Sequence, residues 1–172
     1  MIRSQTGTVV TGGQTFALQN LPGSSPTLYA QGWVKVASQS TAMTMFGLRA
    51  QATPTTPTTP AYQVAQVYLN SSGTIKVLNN VTKASYLGNA TLRPDGWHEV
   101  TFAVNETDGT MQVRLDGTPV QFGTPTGWSA VVGGQDLGAV PMSNVQLGDD
   151  STGRTYSWYA DDLVVSTVQP SF

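Results

Sequence analysis

Two Asp-Gly pairs, Asp108-Gly109 and Asp116-Gly117, divide residues 96–122 into three runs of alternating apolar side chains. The runs read Gly96-Trp97-His98-Glu99-Val100-Thr101-Phe102-Ala103-Val104-Asn105, Thr110-Met111-Gln112-Val113-Arg114-Leu115 and Thr118-Pro119-Val120-Gln121-Phe122. A tight hairpin needs positive φ in its turn, and glycine supplies it without steric cost. Alternation places every second side chain on the same face of a strand. The segment is therefore expected to form an antiparallel meander with one face buried. Val100, Phe102 and Val104 belong to the core, and Glu99, Thr101 and Asn105 to the other face.

The rest of the chain keeps this rhythm. Candidate strands cover 6–10, 14–18, 28–36, 41–50, 62–70, 74–78, 84–87, 97–105, 110–115, 118–122, 144–147 and 155–166, and no window carries a capped helical pattern. Many short strands separated by turn residues predict an all-β, two-sheet antiparallel sandwich or jelly roll. In 28–36 the expected core set is Leu28, Ala30, Val34 and Val36, with Tyr29, Gln31, Trp33 and Lys35 opposite. In the last strand either Tyr156, Trp158, Asp162 and Val164 or Tyr159, Asp161, Leu163 and Val165 could face inward; alternation does not choose.

One domain spanning 1–172 is expected, since a chain of this length buries a large core without covalent staples. Two segments interrupt the strands. Residues 53–60 read Thr-Pro-Thr-Thr-Pro-Thr-Thr-Pro, an extended loop, because proline donates no ladder hydrogen bond. Residues 123–141 are glycine-rich around Trp128 and read as a long connection crossing between the sheets.

Composition excludes several functions. There is no cysteine, hence no disulfide framework and no thiolate metal site. Only 10% of residues are charged, against about 25% in typical domains. Lys and Arg are scattered, so no basic footprint for nucleic acid exists. No apolar run approaches the ~20 residues that would insert in a membrane. The uncharged, Thr-rich surface fits work outside a cell or on a virus particle. Met1-Ile2-Arg3-Ser4-Gln5 opens no apolar signal region, so the chain is expected either to be cut from a longer secreted protein or to leave the cell by another route, as virion proteins do by lysis.

Several short motifs resemble bacterial or phage domains of the laminin-G-like, concanavalin A-like family. They are Gly32-Trp33-Val34-Lys35-Val36, Trp97-His98-Glu99-Val100, and the ending Leu147-Gly148-Asp149 with Gly153-Arg154-Thr155-Tyr156-Ser157-Trp158-Tyr159-Ala160-Asp161-Asp162-Leu163-Val164-Val165. The resemblance spans most of residues 28–165. It implies a twisted sandwich whose concave face or rim loops bind glycan or protein, sometimes with calcium. A fold of this kind does not imply one function.

The sequence predicts no catalytic chemistry. Glucanases of this fold use a Glu-x-Asp-x-x-Glu strand, and retaining glycosidases need two carboxylates flanking the bond. The glutamates here are Glu99 and Glu106, and no such motif occurs. Adjacent Asp161 and Asp162 should point to opposite faces of their strand. His98, the single histidine, reads as a buried, hydrogen-bonded side chain. The chain is thus expected not to be an enzyme.

Binding residues are more visible. A sugar site combines an aromatic platform with a few fixed polar groups. One candidate group is Tyr29, Gln31, Trp33 and Lys35 on one strand face. The other is Trp128, Asp149, Arg154, Tyr156 and Trp158 around the crossing loop and last hairpin. Each Trp has a plainer reading as core or as a sheet-surface aromatic pair. No cofactor is expected, although Asp149-Asp150 could offer calcium oxygens; a solvated turn is the simpler reading, as neither this pair nor Asp161-Asp162 matches a calcium-loop signature. The expected function is a lectin-like, adhesive module for glycan or polysaccharide. The alternative is a decoration or fibre domain of a bacteriophage virion that self-associates or docks to capsid or tail proteins.

Overall fold

A computed structural model describes residues 15–50, 62–94 and 96–169. The expected strand at 6–10 and the Thr/Pro loop at 53–60 lie outside the described residues. Within them the chain is all-β. Its strands are β1 (Thr15–Ser25), β2 (Thr27–Gln39), β3 (Met43–Ala50), β4 (Tyr62–Leu69), β5 (Thr74–Asn79), β6 (Ser85–Thr91), β7 (His98–Asn105), β8 (Thr110–Leu115), β9 (Thr118–Pro119), β10 (Phe122–Thr124), β11 (Gly127–Ser129), β12 (Met142–Asp149) and β13 (Tyr156–Ser166). They form two antiparallel sheets. The large sheet has 8 strands in the order β1-β12-β3-β4-β5-β6-β10-β11, and the small sheet has 5 in the order β13-β2-β7-β8-β9.

The meander forms as its turns dictate. β7, β8 and β9 pair in succession, Val100 opposite Leu115 and Leu115 opposite Thr118. Asp116 and Gly117 both take positive φ (50° and 74°), as a two-residue hairpin of the favoured twist requires. Gly109 combines φ 61° with close approach: a Cβ there would lie 2.4 Å from the Gln135 carbonyl oxygen. That oxygen belongs to the 130–141 segment, so this glycine lets a loop of the large sheet pack on a turn of the small one.

The core lies between the sheets. Leu28, Ala30, Val34 and Val36 of β2 and Val100, Phe102 and Val104 of β7 are buried, facing Phe46, Leu48, Val67 and Ile75 of the large sheet. Full burial of each large apolar side chain contributes roughly 1.5–3 kcal/mol, which explains why alternation locates these faces so well.

β13 uses both of the sets that alternation left open. Asp161 pairs with Trp33 and Val164 with Gln31, so Asp162 and Leu163 bulge opposite Gly32 alone. Asp162 adopts φ 50°. A Cβ on Gly32 would meet both the Asp161 carbonyl oxygen and the Phe46 ring at 3.4 Å, so the glycine makes room for the bulge. The extra residues switch the buried face. Tyr156, Trp158 and Ala160 point inward before the bulge, Leu163 and Val165 after it. The simple alternation argument for Asp161 and Asp162 therefore fails; both residues are exposed.

The expected single strand at 118–122 is divided. Thr118–Pro119 belongs to the small sheet and Phe122–Thr124 to the large one, with Val120 buried at the corner between them. Residues 123–141 accordingly do not carry the crossing. They begin on the large sheet with the β10–β11 hairpin, touch β8 at the Met111–Val132 bridge, and return to the large sheet at β12. Strand β11 was not anticipated.

Candidate functional site: an aromatic face on the small sheet

The outward face of the small sheet is arranged in rows across its strands. One row sets Tyr159 beside Lys35; the next sets Asp161, Trp33 and Glu99 side by side. Then come Val164, Gln31, Thr101 and Arg114, and after them Ser166, Tyr29, Ala103 and Gln112. Rows are two residues apart along each strand, roughly 7 Å.

Three rings dominate one end. Trp33 is 41% exposed, Trp97 45% and Tyr159 37%. Trp97 and Tyr159 lie 6.5 Å apart between ring centroids, inclined at 55°. Tyr159 sits on β13 and Trp97 just before β7, on either side of β2, so their rings meet above Lys35. Trp33 is the diagonal neighbour of both in the register, within reach for large side chains. The result is an exposed apolar platform. An exposed cluster of large side chains on a domain surface marks an interaction site more often than an isolated one does.

Polar side chains flank the platform and are held in place. The Gln31 amide donates to the Glu99 carboxylate. The Glu99 backbone N–H donates to Asp116 Oδ1 at 2.9 Å, and His98 Nδ1 pairs with Asp116 Oδ2 at 2.8 Å. The Asp-Gly turn thus fixes the end of β7 that carries Trp97 and Glu99. His98 is half-buried in this role. Arg114 Nη1 donates to the Gly117 carbonyl at 2.9 Å, orienting its guanidinium along the same face.

The first expected group, Tyr29, Gln31, Trp33 and Lys35, therefore lies together on this face. The second expected group does not assemble. Tyr156 and Trp158 are 3% and 5% exposed and pack in the core, because the register before the β13 bulge turns them inward. Asp149 is buried and accepts the backbone N–H of Thr44 (3.0 Å) and of Ser151 (2.8 Å). Arg154 lies two residues before β13. Trp128 is 63% exposed on β11, at the edge of the large sheet reached from β9, whereas β13 closes the other edge of the small sheet. Residues missed by sequence reasoning are Trp97, Tyr159, Thr101, Ala103, Gln112 and Arg114. Only the β13–β2–β7–β8 register brings them beside Trp33; outward parity was readable on β7 and β8, whereas alternation left Tyr159 open.

The calcium candidates Asp149 and Asp150 both accept from protein groups. Asp150 accepts from Arg49 at 3.2 Å, and Arg49 also donates to Gln146, which is buried and takes a second bond from Gln63 Nε2 at 3.1 Å. Among the described residues, no group of three or more His, Cys, Asp or Glu side chains could hold a metal ion. One other titratable feature stands at the end of the sandwich. Burial pushes the Glu106 carboxyl up to about 7, against the lowering effect of the Met142 backbone N–H. Burial and the nearby Glu106 charge also raise Tyr62.

No protein-family model matches the chain, and no characterised protein matches it in sequence. Solved structures match its fold. The Trypanosoma rangeli sialidase in complex with the inhibitor DANA superposes with a TM-score of 0.65 at 10% identity, covering 98% of this chain and 27% of that one. The heptameric SAP-like pentraxin of Limulus polyphemus gives 0.56 at 18% identity, covering 94% and 73%. The endo-β-1,4-glucuronan lyase of Trichoderma reesei gives 0.55 at 12% identity, covering 95% and 79%. The chain thus spans about a quarter of the sialidase and most of the other two. The shared architecture is the two-sheet jelly-roll β-sandwich.

These similarities correct one expectation. Sialidases and polysaccharide lyases, which are enzymes, share this fold, so the exclusion of enzymatic activity does not stand. The missing Glu-x-Asp-x-x-Glu strand spoke against one glycosidase mechanism only. At these identities the likeness shows the fold alone.

Proposed function

We propose that this chain is a laminin-G-like module that binds glycans through the outward face of its small sheet, with Trp33, Trp97 and Tyr159 as the stacking platform. The single observation that carries the reading is three exposed rings gathered on one face beside oriented amide and charged groups. Sugar rings present apolar C–H faces and a rim of hydroxyls. The platform offers the first an apolar partner, while Gln31, Glu99, Lys35 and Tyr29 offer the second donors and acceptors. A broad, shallow face suits an extended polysaccharide better than a buried monosaccharide.

The charge-poor, cysteine-free composition supports work outside the cell or on a virus particle. The same composition favours a second reading, a decoration or fibre domain on a phage virion docking to capsid or tail proteins. The two are compatible, since a decorating domain can adhere to a glycan. Trp128, isolated on its hairpin, is the competing anchor. Affinity electrophoresis of the chain through gels containing neutral, amino and acidic polysaccharides tests the reading: retardation by at least one polymer, lost in Trp33→Ala and kept in Trp128→Ala, supports it. Migration unchanged in every polymer would remove it.

A further inference from the structure

Beyond the platform, the same face carries a small recess lined by Tyr29, Thr101, Ala103, Gln112, Arg114 and Gln169. Its volume is about 40 Å³. One water needs roughly 10–15 Å³ on this measure, so the recess has room for a substituent of a few heavy atoms and not for a sugar ring. It begins one row from Trp33 and Glu99, roughly 7 Å along the strands. A substituent on a sugar held by the platform could reach it.

Thr101 gives the recess its chemistry. It is 4% exposed, on an outward strand position, and borders the recess. A hydroxyl offers one donor and two acceptor positions to a group that enters the recess. Around it stand a methyl group (Ala103), an aromatic ring (Tyr29), an amide (Gln112) and a guanidinium (Arg114). That set offers an apolar patch, a donor and an acceptor within one small space.

We infer that the recess is a subsite for the acetamido group of an N-acetylated hexosamine, in a β-linked polymer lying across the platform. The acetamido methyl packs on Ala103 and the Tyr29 ring. Its carbonyl oxygen accepts from the Thr101 hydroxyl or the Arg114 guanidinium, and its N–H donates to the Gln112 amide oxygen. A carboxylate uses the donors alone; it would leave the apolar patch unmatched and would sit one row from the Glu99 carboxylate. This inference rests on the platform reading and gives it a ligand class.

The test is titration calorimetry of the full chain with the β-1,4-linked hexamer of N-acetylglucosamine and with cellohexaose, which lacks the acetamido groups. One hydrogen bond and one buried methyl correspond to a preference of roughly tenfold for the N-acetylated hexamer. Ala103→Leu, which fills the recess, should bring that preference to about one. Thr101→Val, which keeps the shape and removes the hydroxyl, should lower the preference several-fold. Equal binding of the two hexamers that Trp33→Ala abolishes would overturn the subsite and leave the platform standing. A full preference retained by Ala103→Leu, or tighter binding of a glucuronate hexamer, would also overturn it. No binding of any hexamer, with or without Trp33, would overturn both.

Discussion

The rings of Trp97 and Tyr159 meet at 6.5 Å although β7, which Trp97 precedes, and β13, which carries Tyr159, never pair. β2 runs between them, and Lys35 on β2 lies beneath the contact. Tilted aromatic pairs of this kind contribute about 0.5–1.5 kcal/mol beyond their buried area. Trp97→Ala should therefore lower stability by about 1 kcal/mol, read as a shift in urea midpoint, and also weaken glycan binding. Tyr159→Ala should do the same, and the double variant should lose less stability than the two single losses added together. Full additivity would mean that the rings do not interact.

Trp33 and Trp158 lie in paired strands and should respond in opposite ways. Trp158 is buried, and Trp158→Ala removes a large core side chain at a cost of about 3–5 kcal/mol. Trp33→Ala should change stability by about 0.5 kcal/mol or less, as exposed positions do. Circular dichroism melts of the two variants check this directly.

Gly109→Ala should cost ~2–3 kcal/mol, because positive φ and a backbone oxygen at 2.4 Å both oppose a side chain. Gly117→Ala, also at positive φ but facing open space, should cost only ~1 kcal/mol. Similar losses in chemical denaturation would mean that the contact with Gln135 contributes nothing.

Glu106 makes stability depend on pH. Its folded carboxyl titrates near 7 against an ordinary value of 4.5, chiefly through burial. The folded state thus holds the proton more tightly than the unfolded chain. The sign follows: the stabilisation is fully present below about pH 4.5 and is lost as pH rises through about 7. Glu106→Gln should flatten this slope and raise stability at pH 8 by about 1 kcal/mol, a figure reduced for solvent screening of a half-exposed group. Melting curves from pH 5 to pH 8 should converge at the acid end; equal separation at both ends would contradict the assignment.

Asp149 should behave as a structural cap. Asp149→Ala leaves the buried Thr44 N–H without its partner, at about 1–3 kcal/mol. Calcium added to the chain, or removed by chelation, should leave its melting temperature unchanged. A calcium-induced rise would return Asp149 and Asp150 to the role of ligands.

The meander was legible because its determinants are local. The Asp108-Gly109 and Asp116-Gly117 turns set the hairpins, and β8 runs over the expected residues 110–115. The core faces of β2 and β7 followed from alternation, since a one-residue slip would expose every apolar side chain of the strand. The β13 bulge was not legible, because it depends on Gly32 of the neighbouring strand. The change of sheets around Val120 was hidden for a similar reason: alternation continues through it. The platform was half visible. Trp33 could be assigned outward, but its neighbours Trp97 and Tyr159 are 64 and 126 positions away and meet it only through register.

The central claim is that glycan binding resides on the small-sheet face. The most direct test compares the intact chain, Trp33→Ala and Trp128→Ala on one polysaccharide that retards the intact chain in affinity electrophoresis. The account predicts that Trp33→Ala loses roughly 30-fold in affinity or more, the loss expected of an anchoring aromatic, while Trp128→Ala binds as the intact chain does. Retained binding in Trp33→Ala together with lost binding in Trp128→Ala would contradict it and move the site to the β10–β11 hairpin.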